Sequence, residues 1–356
     1  MTDQAEQHRV LDQLPPGVGV SYVMPVLNEA GHLERAVAAI LSQEYEGESE
    51  LVLALGASTD STDAIAAGLA AADPRIRIVG NPANDIPKGV NAAIRASRHP
   101  VVIRVDAHAE LPEGYTATAV ETLRRTGCAN LGGVMLARGE TPVQRAIARA
   151  YNSPFGLGGG VYHHGEDEVA ADSAYLGVFR REVLEEVGLF DEGLRRAEDW
   201  ELNHRIRQAG YRVLFTPRLK VTYWPRGSLA ALRRQMYATG VWRGHLVRRQ
   251  RSTPWRYLPP PAVALVVAVS AVCLVLQGVG VLRGDAARLA GIAYLGTAGY
   301  ALGVSAVGLT RLGGDSAIDR LLNVAVLATM HLSWGAGFLR GVLLGAESTV
   351  DRSRVR

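Results

Sequence analysis

The first part of the chain alternates short apolar segments with segments whose apolar residues recur at helical spacing. Val18 to Val26 and Glu50 to Leu55 are apolar runs of strand length, and Arg75 to Val79 and Val101 to Val105 repeat the pattern. Amphipathic stretches such as Ala64 to Ala72 lie between them. Strands that alternate with helices predict an α/β fold with a mainly parallel sheet.

The pattern changes towards the C-terminus, where long apolar runs replace the alternation. Ala262 to Leu282 contains no charged residue and has the length that a helix needs to cross a bilayer. Leu289 to Leu309 is also uncharged but rich in glycine, and Leu321 to Leu344 carries His331 and Arg340. We therefore expect two or three transmembrane helices.

Composition and charge exclude several classes of protein. Of the 356 residues 48% are hydrophobic and 21% charged, which excludes a disordered or collagen-like chain. Lys+Arg 38 nearly balance Asp+Glu 35, so the net charge gives no argument for a nucleic-acid partner. Cys128 and Cys273 have neither a nearby histidine nor a second cysteine at metal-ligand spacing, so a disulfide or zinc site is not expected.

A basic segment separates the two patterns. Between Lys220 and Pro261 there is no acidic residue, and there are eight arginines: Arg226, Arg233, Arg234, Arg243, Arg248, Arg249, Arg251 and Arg256. By the positive-inside rule this segment places the preceding domain in the cytoplasm, in agreement with a polar, acidic N-terminus that lacks signal-peptide character. Some of these arginines are also candidates to hold the diphosphate of a substrate, and the two interpretations are compatible.

These patterns divide the chain into five parts. We predict a polar N-terminal extension (1–17), an α/β domain (18–225), a basic juxtamembrane segment (226–261), a membrane region (262–345) and a polar tail (346–356). The protein is therefore expected to be a multi-pass membrane protein that contacts membrane lipids through its C-terminal part.

Polar residues cluster where the predicted strands end. In open α/β sheets, ligands bind at the carboxyl ends of the strands, so a cleft is expected along this edge. For Ser58 and Asp60 a role as turn or N-cap residues is an equally good interpretation. The residues are Asn28 and Glu29 after the first strand, Ser58 and Asp60 after the second, Asn81 after the third, and Asp106 and His108 after the fourth.

Asp106 and His108 form a candidate metal site. They follow an apolar strand and are separated by the small Ala107, so both side chains can face one divalent cation that bridges phosphate oxygens.

Five motifs resemble, in this order along the chain, those of the family 2 inverting glycosyltransferases. The motifs are VMPVLNEAGHLERAV, STDST, KGVNAAI, VDAHAELPEG and RRAEDWELNHRIRQAGYRV, and they cover roughly residues 18 to 250. The likeness is greatest to the succinoglycan-biosynthesis subgroup, which extends lipid-linked exopolysaccharide units. The resemblance implies a GT-A fold that binds a nucleotide-sugar, followed here by C-terminal transmembrane helices.

The resemblance also implies roles for individual residues. Asp106 and His108 take the place of the metal-binding D-x-D pair, and an imidazole ligand favours Mn²⁺ over Mg²⁺. Leu55-Gly56-Ala57 replaces the usual Asp-Asp-Gly, so the acidic contact to uracil is absent. The implied substrate-binding residues are Pro25, Asn28 and Glu29 at the nucleoside, Ser58, Asp60, Lys88 and Asn91 in the next two motifs, and Asp172 near the acceptor.

Glu198 and Asp199 open a predicted helix from Trp200 to Ala209. An acidic pair in a first helical turn is often only a favourable interaction with the helix dipole. In the enzymes that this chain resembles, the Asp of this pair is the general base that deprotonates the acceptor hydroxyl. Asp199 is therefore the candidate base, and Glu198 is the neighbour that orients it or tunes its pKa.

Further residues bear on the acceptor and on processivity. Trp242 and Arg243 are candidates to hold the diphosphate or a lipid headgroup, with membrane anchoring as an alternative. The Q-x-x-R-W motif of processive synthases is absent after Gln235, so transfer of a single sugar is expected. The glycine-rich segment 152–164 is either a loop that closes over the donor or a plain surface loop.

The sequence thus predicts a membrane-bound, metal-dependent glycosyltransferase that uses a nucleotide-sugar, in particular a UDP-sugar, and a lipid-linked or membrane acceptor. One alternative is a nucleotidyltransferase of similar fold, which the lack of a Gly-rich phosphate loop after the first strand disfavours. The other is an inactive nucleotide-sugar-binding or scaffold protein, against which the presence of Asp106 and Asp199 argues.

Overall fold

The computed structural model of the chain describes residue 9 and residues 11–156, 165–250 and 253–346. The described residues form two compact units. The sheet unit comprises residues 9, 11–136 and 165–223, and the helical unit comprises residues 137–156, 224–250 and 253–346. The helical unit includes residues 137–156, which lie within the predicted α/β domain (18–225), and the predicted domain bounds stay a prediction.

The sheet unit is built on one mixed sheet with the strand order β3-β2-β1-β4-β8-β6-β9-β5, in which β7 also pairs with β9. The first four strands in this order are parallel to one another, and the pairs that β8 makes with β4 and β6 are antiparallel. The strands are β1 (Val20–Val26), β2 (Ser49–Leu55), β3 (Ile76–Gly80), β4 (Val101–Arg104), β5 (Ala109–Glu110), β6 (Asn130–Ala137), β7 (Val169–Ala170), β8 (Val178–Arg180) and β9 (Val213–Tyr223).

Both faces of the parallel half are buried, which explains why its strands appear as continuous apolar runs. Tyr22 and Met24 of β1 belong to the core on one face, and Val23 belongs to the core on the other. The helices of this unit are α1 (Leu33–Leu41), α2 (Thr62–Ala72), α3 (Ile86–Ala96), α4 (Tyr115–Thr126), α6 (Arg181–Val187) and α7 (Glu198–Gln208). The predicted α/β class with a mainly parallel sheet is confirmed.

The helical unit contains five helices in its described part. They are α5 (Pro142–Tyr151), α8 (Leu229–Gln250), α9 (Pro259–Gly278), α10 (Gly284–Thr310) and α11 (Ala317–Leu344), and a 3-10 turn, Trp255–Tyr257, precedes α9. Three segments are long and apolar enough to cross a membrane: Trp255–Gly278, Gly284–Thr310 and Ala317–Leu344. The three predicted apolar segments are therefore all helical.

Candidate active site

Four charged side chains meet at the carboxyl end of β4. Arg104 is the last residue of β4 and is buried, and Asp106 follows after one residue. The guanidinium of Arg104 lies 3.3 Å from a carboxylate oxygen of Asp106 and 3.3 Å from one of Glu198, and it donates a further hydrogen bond to Asp199. The structure thus brings Asp106, the predicted metal ligand, and Asp199, the predicted base, into contact with the same guanidinium group, that of Arg104.

Helix α7 presents the two acidic residues to Arg104. Ala197 precedes the helix with a φ of 60°, so the chain turns sharply and the first helical turn carries Glu198 and Asp199. The side chain of Asn203 donates to the backbone carbonyl of Asp199 over 2.7 Å and accepts from Asn130 of β6. Because Leu202 and Ile206 are fully buried, the position of this turn is fixed by the core.

The environment of Asp199 suits a general base. Burial raises the pKa of Asp199 to about 7, and the negative charges of Glu198 and Asp106 act in the same direction. The positive charge of Arg104 opposes this rise. A carboxylate whose pKa lies near neutral pH is matched to proton abstraction under cellular conditions. The side chain is 33% exposed, so a substrate hydroxyl has access to it.

The charge balance at this position favours a divalent cation. With Asp106, Glu198 and Asp199 ionised, Arg104 neutralises only one of three negative charges. Burial lowers the pKa of Arg104 while the three carboxylates raise it more strongly, so this guanidinium stays charged. Two negative charges therefore remain uncompensated in a largely desolvated cluster, and a divalent cation would neutralise them.

His108 is arranged as a metal-ligating histidine would be. Its Nδ1 lies 3.0 Å from Oε1 of Glu29, so a neutral ring that donates from Nδ1 keeps the lone pair of Nε2 for a cation. Among the residues that the structure describes, no group of three or more His, Cys, Asp or Glu side chains lies close enough to hold a metal. Asp106 and His108 would therefore share a cation with phosphate oxygens and water, as is usual where the substrate is a nucleotide.

The loops after β1 and β2 are bonded to each other. Asn28, which has a φ of 54°, accepts from the backbone N–H of Thr59 over 2.7 Å, and its own N–H donates to Ser58. Asp60 accepts from the backbone of Ala30 and Thr62. The structure therefore places Asn28, Ser58 and Asp60 together, where their observed contacts fix the shape of the two loops.

Leu55-Gly56-Ala57, which replaces the Asp-Asp-Gly of the family, lies against the side chains of Asn84 and Leu27. A Cβ on Gly56 would lie 2.7 Å from Oδ1 of Asn84 and 3.0 Å from the side chain of Leu27. That same oxygen of Asn84 accepts from the backbone N–H of Ala57 over 2.7 Å. An aspartate at this position would therefore displace the side chains of Asn84 and Leu27, and Asn84 supplies a polar group there instead.

Among the other predicted substrate-binding residues of the sheet unit, Pro25, Lys88 and Asn91 make no hydrogen bond or ion pair with the Arg104 cluster in the part of the chain that the structure describes. Pro25 is buried in β1 opposite Ala54, and Lys88 is exposed on α3. The amide of Asn91 is bonded to the backbone N–H and carbonyl of Phe190 and to Glu192, so its observed contacts are internal. Asp172 is half-buried and precedes β8.

Trp242 and Arg243 belong to α8 in the helical unit. Both are buried, and the guanidinium of Arg243 lies 4.0 Å from the centre of the Tyr257 ring. The predicted role of these two residues towards a diphosphate or lipid headgroup stays a prediction. Residues 157–164 of the glycine-rich segment, which include His163 and His164, lie outside the described residues.

Sequence reasoning missed Arg104 and Tyr175. Arg104 was read as part of an apolar strand, although a single charge inside VVIRV (101–105) is a signal that a carboxylate must lie nearby. The hydroxyl of Tyr175 is buried and has no hydrogen-bond partner among the described residues. Burial raises the pKa of Tyr175 well above its usual value, and Asp106 is close enough to add to this effect. The hydroxyl is therefore a donor that a bound substrate could satisfy.

Comparison with known proteins agrees with these motifs. A family model described as glycosyl transferase family 2 matches residues 21–188. The succinoglycan biosynthesis protein ExoA of Rhizobium meliloti (strain 1021) is 32% identical over 324 residues, which cover 90% of this chain and 94% of that protein. A dolichyl N-acetyl-alpha-D-glucosaminyl phosphate 3-beta-D-2,3-diacetamido-2,3-dideoxy-beta-D-glucuronosyltransferase of Methanococcus voltae is 21% identical over 239 residues, 65% of this chain and 74% of that protein.

A solved structure is similar over almost the whole chain. It is the mannosyltransferase PcManGT from Pyrobaculum calidifontis in complex with GDP-Man and Mn²⁺, with a TM-score of 0.60 and 20% sequence identity. The similarity covers 96% of this chain and 91% of that one. It confirms the predicted GT-A-like fold followed by C-terminal apolar helices.

Proposed function

Because this chain belongs to glycosyl transferase family 2, we propose that it transfers one sugar from a nucleotide-sugar to a lipid-linked or membrane-embedded acceptor, with inversion and with a divalent cation. The observation that carries this proposal is the cluster at the end of β4. There, a single buried arginine holds the candidate base Asp199 and the candidate metal ligand Asp106 in one place.

The residues of the site have separate roles in the proposed reaction. Asp199 accepts the proton of the acceptor hydroxyl as that oxygen attacks the anomeric carbon, and the diphosphate leaves from the opposite face. Arg104 holds the carboxylate of Asp199 in position, and Asp106 and His108 would hold the cation. When bound, the cation stabilises the negative charge that develops on the leaving diphosphate. A single displacement converts an α-linked donor into a β-linked product.

The donor and acceptor are proposed from the family resemblance, from the similar proteins and from the apolar helices. The family resemblance favours a UDP-sugar, whereas the space at Gly56 lacks the acidic contact to uracil, and the similar PcManGT structure holds GDP-Man. Both relatives carry names of enzymes or pathways that build glycans, one of them on a dolichyl-linked sugar. With three long apolar helices in the chain, a membrane acceptor in exopolysaccharide or cell-envelope glycan synthesis fits best.

The proposal is tested by nucleoside diphosphate release from the full-length protein in detergent. UDP- and GDP-sugars are screened with Mn²⁺, Mg²⁺ or EDTA, and a membrane lipid extract supplies the acceptor. Turnover of one donor that depends on the metal and the extract is the expected result. If one donor binds with metal-dependent affinity yet never turns over, the alternative of an inactive nucleotide-sugar-binding protein is favoured. If no donor binds, the nucleotide-sugar assignment fails.

Arg104→Met should move the acid limb of the pH–rate profile. In the native protein, activity should fall as the pH drops below about 7, because the base must be ionised. Removing the cation that stabilises this carboxylate raises its pKa further, so the limb should move to higher pH by about 1–3 units. Arg104→Lys keeps the charge and should leave the limb near its native position, with a lower maximal rate because lysine lacks the fork that holds two carboxylates. Identical limbs in both variants and the native protein would rule out this role.

A further inference from the structure

Helix α11 has the length and composition of a membrane span, yet it packs against α5 and α8, which carry charged residues, as well as against the apolar hairpin of α9 and α10. Its sequence contains Asp319, Arg320, Asn323, His331 and Arg340. The packing of its two halves therefore decides whether it crosses a bilayer.

The first half of α11 packs against the segment that contains α5. The guanidinium of Arg149 donates to the side chain of Asn323 over 2.9 Å and lies 3.4 Å from a carboxylate oxygen of Asp319. Nε2 of His331 lies 2.7 Å from the carbonyl oxygen of Phe155. Residues 319–331 of α11 are thus held beside residues 149–156.

The segment that contains α5 must lie on the same side of the membrane as the sheet. It is inserted between β6 and β7 in the chain, and only four residues separate Ala137 of β6 from Pro142 of α5. Four extended residues reach about 14 Å, whereas the hydrocarbon core of a bilayer is about 30 Å thick. The first half of α11 is consequently held on the sheet's side as well.

The second half of α11 lies along α8, and the two helices run in the same direction. A Cβ on any of four glycines would come within 2.0–2.2 Å of a carbonyl oxygen of the facing helix. The backbones are therefore in direct contact, and Arg248 of α8 also donates to the carbonyl of Leu343 over 3.0 Å. The facing pairs are Gly240 with Trp334, Gly244 with Phe338, Gly337 with Tyr237, and Gly341 with Val241.

Helix α8 cannot itself cross the membrane. Arg233 and Arg234 are exposed near its start, and Arg248 and Arg249 are exposed near its end. The 13 residues between these pairs, 235–247, span about 20 Å as a helix, which is too short for the hydrocarbon core. Arginines at both ends place both ends at the same, cytoplasmic surface by the positive-inside rule.

The hairpin of α9 and α10 has different neighbours. The two helices bond to each other at Ser270 and Thr297 over 2.8 Å, and at Gln277 and Tyr294 over 3.0 Å. Large apolar side chains remain exposed along its far part, for example Leu274 at 58% and Leu295 at 75%. Helix α11 meets this hairpin at the start of α9 and along the second half of α10: Gly335 abuts Pro260, Val324 abuts Gly308, and Nδ1 of His331 lies 3.4 Å from the hydroxyl of Tyr300.

We propose that α11 does not span the membrane but lies in the membrane surface on the side of the sheet, paired with α8, while the α9–α10 hairpin crosses and returns. One face of α11 supports this placement. Ile318, Leu321, Ala336 and Leu343 are exposed and share one side of the helix near its two ends, as in helices that lie in the lipid interface. The chain after α11 then lies on the same side as the sheet.

Cysteine labelling of the full-length protein tests this topology in a Cys273→Ala background, with buried Cys128 kept. Single cysteines are introduced as Val281→Cys in the exposed α9–α10 turn, as Ala71→Cys on the exposed side of α2, and directly after Arg356. Intact and lysed spheroplasts are treated with a membrane-impermeant maleimide. Arg283→Cys, in the same turn as Val281, replaces Val281→Cys if that variant is not produced.

The turn cysteine should be labelled in intact spheroplasts, whereas labelling of the α2 cysteine and of the C-terminal cysteine should be lost unless the cells are lysed. Labelling of the C-terminal cysteine in intact spheroplasts would show that α11 crosses and would overturn the proposal. Protection of the turn cysteine would overturn it as well, because the hairpin would then not reach the other side.

Discussion

Replacing Asp199 with Asn is expected to lower turnover by about 10³-fold while donor binding stays close to native, since general-base catalysis contributes about 10²–10⁴-fold. The amide keeps the shape of the side chain but cannot accept the proton of the acceptor hydroxyl. Its carbonyl oxygen can still accept a hydrogen bond from Arg104, so the cluster should keep its form. Turnover is measured as nucleoside diphosphate release, and donor affinity is measured separately by calorimetry in Mn²⁺.

Glu201→Gln is the matched control for this variant. Glu201 lies in the same helical turn and pairs with Arg205, which also donates to the carbonyls of Val187 and Leu189. The same change of charge there should leave turnover within a few-fold of native. If Asp199→Asn and Glu201→Gln had equal activities, the assignment of Asp199 as the base would be wrong.

Replacing Asp106 with Ala should remove metal-dependent donor binding as well as turnover. Asp106 and His108 are the two side chains that this site offers to a cation, and loss of an outer-sphere partner alone typically costs about 10–100-fold in metal affinity. Loss of a direct ligand should therefore weaken Mn²⁺ binding by at least about 10²-fold. Titration of Mn²⁺ in the presence of nucleoside diphosphate, followed by electron paramagnetic resonance, measures this without relying on activity.

Glu110→Gln provides the comparison for Asp106. Glu110 lies two residues after His108 and pairs with Arg35, away from the Arg104 cluster. Its substitution should leave Mn²⁺ affinity unchanged. Native Mn²⁺ affinity in Asp106→Ala would contradict the placement of the cation at the end of β4.

The sheet could be predicted because its signals are local. Strands buried on both faces appear as short apolar runs, and the alternation of Tyr22, Val23 and Met24 between the two cores follows from the two-residue period of a strand. The ends of the four predicted strands fall within two residues of the ends of β1 to β4, whereas β5 to β9 were not predicted. Asp106 and Asp199 were found through motifs, which mark the chemistry of a site but not the distances within it.

Other features depend on contacts between distant parts of the chain. Arg104 sits in an apolar strand, and its importance appears only when α7, almost a hundred residues later, brings Glu198 and Asp199 to it. The helical unit gives a second example, since residues 137–156 lie between strands of the sheet in sequence yet pack with the C-terminal helices. Hydropathy alone gives α11 the character of a span, because hydropathy does not register that glycines of α11 and of α8 bring the two backbones into contact.

The buried ion pairs of Arg104 bear on the stability of the protein as well as on the geometry of the site. A buried ion pair contributes little net stability, but removal of one partner leaves an uncompensated charge that costs about 3–5 kcal/mol. The cluster is therefore better explained by the need to hold three carboxylates in a fixed arrangement than by a gain in stability. Holding the proposed base and the proposed metal ligand on one guanidinium would give that arrangement a catalytic use.

The stereochemistry of transfer tests the central claim most directly. With the donor and lipid extract found active, the product sugar is isolated and its anomeric configuration is read from the proton coupling constant by nuclear magnetic resonance. A single displacement with Asp199 as the base predicts a β-linked product from an α-linked donor. An α-linked product would mean that the reaction retains configuration, and it would contradict the assignment of Asp199 and the mechanism built on it.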